Sequence, residues 1–466
     1  MEKNQSKTPD QNLIQKLVDI CKMAKKNGAD AADAVFSEGT STTLKTERGT
    51  ISELKVSGSR NLGLRLFKGQ KITEVASEDL STESINYLLS NALASMHYLN
   101  DDKDQSPLQT RSSIKLNVHA KNCGTDLQGQ GKKPWSMAEK REKILAMESS
   151  LLGESSLVKN VPYNTWVERQ HHSYLVTQDG PISYQASDFA QIYSSCLLED
   201  GPAKCMTGHH LSGRNLELLP FNEFAPYIVK RGERLLHSHS LPSGQYTVIF
   251  EPDIFADLFL SFGTYWNGKS TVEGLNPWKE KRGQQVAKQE FNFLDVPRHP
   301  EAFHHYMFDD EGLDQSDVPI IQNGTFQNIL HNSKTSKILG VPNNARASRG
   351  PGQPLNVSGT NKIITAGKAT KSDLYQGKVL LVMEEQGMHS GLNAVSGQFS
   401  FGARGIILNN GVPEQAFNDI TVSGNINEML KSDFLLGDKI LPDTSHHFFA
   451  PEMRFNKMSI SGSAKN

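Results

Sequence analysis

The feature that most constrains the fold is the punctuation of the chain. Short runs rich in Val, Thr, Ile and Leu are cut repeatedly by glycine-bearing turns, on both sides of Pro242-Ser243-Gly244. Leu62 to Phe67, Ser173 to Val176 and Asp188 to Leu197 lie before that point, with Asp179-Gly180-Pro181 and Asp200-Gly201-Pro202 as breaks. Tyr246 to Phe250, Leu380 to Met383, Gly405 to Leu408 and Met458 to Ile460 lie after it. Such runs bounded by Gly, Asp and Pro predict antiparallel strands joined by turns. The stretch Arg346 to Leu355 is too rich in Gly and Pro for regular structure.

Helical periodicity is confined to a few places. Leu13, Leu17, Ile20 and Ala24 share one stripe that ends at Asn27-Gly28, and Ser81 can cap a helix whose apolar face is Ile85, Leu88, Leu89, Ala92 and Met96. Further helices are predicted over Met137 to Ser149, around Phe221 to His239, and from Pro252 to Trp266. Asn100 to Pro134 is polar and reads as a surface loop. Strands with a few flanking helices give an α+β class, and 466 residues exceed one ordinary core. Two domains of mainly antiparallel sheet are therefore expected, 1–241 and 242–466.

Charge and cysteine content narrow the function. A formal net charge of -2 offers no general attraction for phosphates, so no nucleic-acid partner is expected. The four cysteines form no CxxC pair and read as reduced thiols. No run of about eighteen apolar residues occurs and the first residues are polar, so no membrane partner and a cytoplasmic location are expected.

Two segments carry chemistry-bearing residues in unusual density. Asp309, Asp310 and Glu311 lie between Phe308 and Gly312; three carboxylates suit a hard cation or acid/base work, but a solvated turn that binds backbone donors is favoured. The glycine-rich stretch Gly387 to Gly405 holds His389, Ser390, Asn393, Phe399 and Arg404 as candidate cleft or interface residues. His389 beside Ser390 invites a base-and-nucleophile reading, but sequence neighbours seldom meet in that geometry, and a structural loop role is favoured. The histidine pairs His171-His172, His209-His210, His304-His305 and His446-His447, with His237 and His239, are adjacent or one apart, and adjacent side chains diverge. Metal ligation by any one pair is therefore disfavoured, while ligands assembled from distant segments stay open.

A family resemblance rests on several of these segments together. Gly28-Ala29-Asp30-Ala31-Ala32-Asp33-Ala34, Leu62-Gly63-Leu64-Arg65-Leu66, Asp79-Leu80-Ser81, the Phe308 to Gly312 turn, Val395 to Gly405, Thr421-Val422-Ser423-Gly424-Asn425 and Met458-Ser459-Ile460-Ser461-Gly462 resemble the TldD/PmbA family, with coverage from about Leu13 to Gly462. The resemblance implies a two-domain α+β chain that pairs with a related chain to form an intracellular metalloprotease acting on unfolded or small peptides. In such a pair the catalytic chain carries HExxxH on the helix after the first strand of the second domain, two histidines binding zinc and a glutamate serving as general base.

The matching helix here begins Pro252-Asp253-Ile254-Phe255-Ala256-Asp257-Leu258-Phe259 and contains neither histidine nor glutamate, and no HExxxH occurs elsewhere. The chain therefore resembles the PmbA (TldE) branch. No catalytic residue, metal ligand or cofactor is then expected in this chain, and zinc is expected in a TldD-like partner subunit. The helix should pack through Ile254, Phe255, Leu258, Phe259 and Phe262, with Tyr265 and Trp266 as candidate interface anchors. The alternative reading is a metal-free homodimeric module that binds a peptide or protein.

Overall fold

A computed structural model describes residues 8–108, 114–118, 135–214, 216 and 219–463. The first sheet is built by β1 (Ala31–Glu47), β2 (Thr50–Lys68), β3 (Lys71–Ser77), β4 (Lys115–Val118), β5 (Val158–Thr177), β6 (Gly180–Asp200) and β7 (Ala203–Gly213). Its order is β3-β2-β1-β5-β6-β4, with β7 also on β6. Every pairing is antiparallel except β4 on β6. The strands run far past the short runs visible in the sequence, to 19 residues in β2 and 21 in β6. β4 falls inside the segment expected to be loop, most of which lies outside the described residues.

Helices α1 (Gln11–Lys26), α2 (Thr82–Ser95), α3 (Met137–Glu154) and α4 (Phe221–Leu235) flank this sheet. The stripe predicted for α1 is inside: Ile14, Leu17, Val18, Ile20, Cys21 and Ala24 are buried, and Asp10 caps the helix by accepting from Asn12 and Leu13 N–H. Ser81 caps α2 through Ser84 N–H, and Ser136 with Glu139 forms a capping box on α3. α4 ends at Leu235, earlier than expected, and His239 lies instead in β8 (Ser238–His239), a strand of the second sheet.

The second sheet has twelve strands. Among them are β9 (Gly244–Phe250), β10 (Phe293–Val296), β11 (Val318–Gln322) and the long strands Lys378–Gln386, Gln398–Asn409, Val412–Asn425 and Phe448–Gly462. Most pairings are antiparallel, but β9 runs parallel to Lys378–Gln386. Ile420 to Ser423 also pair with Ser459 to Gly462, which closes five strands into a barrel. The architecture is α+β, as the turn-punctuated sequence predicts.

Among the described residues the buried apolar side chains form three large cores and a small cluster of Val35, Leu175 and Ile182. One lies between α1, α2 and the near end of the first sheet. Another fills the barrel side of the second sheet around α5 (Pro252–Leu260). Between them a third is shared: Leu44, Trp166, Ile192 and the α3 and α4 residues Ile144, Leu151 and Ile228 pack with Ile249, Val379, Met383, Ile406 and Leu408 of the second sheet. The sequence on both sides of Pro242 to Gly244 thus contributes to one continuous interior.

Candidate functional site

Where the two sheets pack together, β7, α4 and the start of α5 bring charged side chains into one network. Glu251 precedes α5 with an extended backbone, and its N–H donates to Val382 O, which pins the helix start to the strand Lys378–Gln386. From α4, Arg231 donates through Nη1 to both Glu251 oxygens at 2.8 and 2.7 Å and through Nη2 to Met383 O. Glu384 accepts from Thr207 Oγ1 of β7 at 2.6 Å and from Arg404 Nε at 3.0 Å, while Arg404 Nη2 donates to Met206 O at 2.7 Å. Two arginines and two glutamates therefore join α4, β7 and the strands Lys378–Gln386 and Gln398–Asn409. Burial pushes the Glu251 carboxyl up against the opposing pull of Arg231.

His209 and His210 sit on opposite faces of β7 beside this network. The His209 ring lies 5.0 Å from Tyr227 of α4, and that of His210 lies 4.6 Å from Tyr193. Burial lowers His209 to about 4, more than Asp253 raises it, so its ring is neutral at pH 7. Asp253, in the first turn of α5, accepts from Thr444 N–H at 2.6 Å and from Thr444 Oγ1 at 2.5 Å. Burial and the charges of Asp253, Glu385 and Asp443 raise Asp257.

The rest of α5 is apolar on every face that packs. Ile254, Phe255, Ala256, Leu258 and Phe259 are buried, and Phe259 lies 4.8 Å from Phe293 and 5.4 Å from Trp266 between ring centroids. The helix stops at Leu260, short of the expected Trp266, and a separate 3-10 turn covers Gly263–Trp266. The turn carries Tyr265 and Trp266 inward: they are 1% and 4% exposed, so neither is the surface anchor that the sequence suggested. Tyr265 packs 4.9 Å from Trp278 and its hydroxyl accepts from Asn427 Nδ2.

The structure does not bring the other candidate residues together. Asp309, Asp310 and Glu311 are not a solvated turn; Asp309 and Glu311 are 3% and 7% exposed. Asp309 accepts N–H from Glu311, Leu313 and Ala347, Asp310 accepts from Arg349 N–H, and Glu311 accepts from Ser333 N–H and Oγ. Their neighbour Gly312 sits at φ +74 with a Cβ position 2.4 Å from Ile182 Cγ2, so the turn docks on the first sheet where only glycine fits. His389 and Ser390 are exposed on a short 3-10 turn. Asn393 is exposed and orders its loop by accepting from Val395 and Ser396 N–H, whereas Phe399 is buried against Gly424.

A second set of buried charges was not singled out from the sequence. Asp33 in β1, 1% exposed, is held by Arg65 Nη2 of β2 at 2.8 Å and by Arg349 Nη1 of the second half at 2.6 Å. Asp295 in β10 accepts from Arg346 Nε and Thr360 Oγ1, both at 2.6 Å, with Lys362 Nζ 3.5 Å away. The two arginines hold Asp33 below its usual range despite burial, and Lys362 and Arg346 do the same for Asp295.

As to metal chemistry, no group of three or more His, Cys, Asp or Glu among the described residues is arranged to hold an ion. The donor set at α5 does not fit zinc: its packed positions are hydrocarbon, and Asp253 is already committed to Thr444.

Comparison with known proteins places this arrangement. Residues 243–462 match a family described as PmbA/TldA metallopeptidase C-terminal domain, and residues 32–95 match PmbA/TldA metallopeptidase domain 1. A Haemophilus influenzae protein named metalloprotease PmbA homolog is 24% identical, covering 98% of this chain and 97% of its own. A Saccharolobus solfataricus zinc metalloprotease TldD homolog is 23% identical over 89% of this chain and 91% of its own. The crystal structure of TldE from Thermococcus kodakarensis superposes with a TM-score of 0.79 at 16% identity, covering 96% of this chain and all of that one, 100%.

Proposed function

Because the chain belongs to the PmbA/TldD metallopeptidase family, we propose that it serves as a non-catalytic, PmbA/TldE-like subunit that completes a cytoplasmic zinc protease with a TldD-like partner bearing HExxxH. The observation that carries this reading is the packing of α5. A zinc helix must turn two histidines and a glutamate toward a water-filled cleft, because the metal needs an open coordination position. Here the corresponding helix spends its side chains on a core of Phe255, Leu258 and Phe259. Its polar start is fastened by Thr444, and the adjoining glutamates are fastened by Arg231 and Arg404. The chain itself then holds no zinc, and unfolded peptide is the substrate of the pair. The test is elemental analysis and peptide cleavage by the purified chain, alone and co-expressed with an HExxxH-bearing relative. Activity and one zinc only in the co-purified complex is the expected result. A stoichiometric zinc or cleavage in the chain alone would overturn the proposal, and failure to co-purify would favour the homodimeric binding module.

A further inference from the structure

β2 leaves part of the first sheet with an open edge. β3 pairs with it only over Leu62 to Lys68, and among the described residues no strand pairs with the same edge of Thr50 to Asn61. Every residue from Leu54 to Arg60 is exposed. An extended segment whose outward N–H and C=O groups lack a neighbouring strand is a template for one. Two large apolar side chains, Leu54 at 48% and Val56 at 63% exposure, share one side of it, the side on which the paired Leu44 of β1 is buried. The other side carries Glu53 and Lys55, with Lys45 of β1 2.6 Å from Glu53.

These residues restrict how a second strand lies here. When that strand is β2 of a second copy, antiparallel to the first, a two-fold axis passes through one residue position, and residues equally far on either side of it face each other. An axis at Lys55 sets two lysines together, and one at Val56 turns Lys55 and Glu53 towards Ser57 and Ser59. An axis at Leu54 instead puts Glu53 of each copy opposite Lys55 of the other, Leu54 opposite Leu54, and Val56 diagonal to it. Two ion pairs and four otherwise exposed apolar side chains then meet. The register shift between Lys45 and Thr46 bounds the match on the side of the turn.

We propose that the chain self-associates through this edge, Ser52 to Val56 of two copies pairing antiparallel about Leu54, so that their first sheets become continuous. This pairing stands apart from the subunit reading, because it needs no HExxxH-bearing relative and no activity. Sedimentation velocity of the purified full chain from about 1 to about 100 µM is expected to show a reversible dimer. Lys55→Glu sets two carboxylates together at both pairs and is expected to weaken that dimer about tenfold; Glu53→Lys does the same with two ammonium groups, and the double swap is expected to restore the affinity. Leu54→Asp is a separate check, expected to abolish the dimer while circular dichroism melts stay those of the folded chain. A chain that stays monomeric throughout that range overturns the proposal, as does a dimer indifferent to Lys55→Glu or to Leu54→Asp, or a folded double swap that stays weakened.

Discussion

α5 and the Phe308 to Gly312 turn are opposites in composition and alike in role. The helix stands where the family resemblance would put chemistry, yet it is hydrocarbon packed among Phe293, Phe448 and Trp266. The turn offers three carboxylates, yet each is consumed by backbone N–H groups or hydroxyls, and Arg349 beside it reaches across to Asp33. One fastens by excluding water, the other by giving each of its three carboxylates hydrogen-bond donors. Residue type alone therefore misplaces the chemistry at both positions; what decides is whether the polar atoms have partners.

The comparison breaks if the polar fastening proves weaker than the apolar one. Asp33→Ala leaves Arg65 and Arg349 buried without their acid and is expected to cost about 3–5 kcal/mol, read from urea unfolding. Leu258→Ala, which empties a fully buried site, is expected to cost about 2–5 kcal/mol; an unchanged melting temperature would show that α5 is not core.

Acid sharpens the contrast, because it attacks only polar fastenings. Burial depresses His209 and His331 to about 4 and His447 to about 3. Folded values below the unfolded 6.5 mean that their stabilisation is present above pH 6.5 and lost as pH falls toward 3–4. Three protons taken up on unfolding give a slope of at most about 4 kcal/mol per pH unit, measurable by urea titrations at several pH values. A flat profile from pH 6.5 to 4.5 would refute it.

Gly312→Ala tests the docking of the turn. The φ of +74 and the contact with Ile182 predict a loss of about 2 kcal/mol, partly recovered when Ile182→Ala opens the space. The smallest effect belongs to the exposed loop: His389→Ala and Ser390→Ala should each change stability by less than about 0.5 kcal/mol.

Much of this was legible in the sequence, in places where local physics decides. The α1 stripe, the Ser81 cap and the turns at Gly180 and Gly201 are set by neighbours in the chain. Strand length was not, because the far halves of β1 and β2 are polar: Ser41, Thr43, Ser57 and Ser59 pair regularly but show no apolar alternation. The end of α5 was missed because apolar residues continue past Leu260 into the 3-10 turn, so periodicity ran on after the helix had stopped. The buried ion pairs were hidden by distance. A signal did exist: Asp33 among alanines and Arg65 between leucines are charges in otherwise apolar strands, which a solvated surface does not explain.

That distance also orders events during synthesis. Asp33 and Arg349 are 316 residues apart, so at roughly 5–20 residues per second the acid emerges about 16–60 s before its second arginine. Once the strands through β7 are made, and until Arg349 follows, the first sheet has one acid against one arginine, with Val35, Leu175 and Ile182 waiting for the turn that will cover them. The nascent chain thus has a built-in period of exposure that ends only when about three quarters of it has been made, and a pause in translation between β7 and Arg349 would lengthen it.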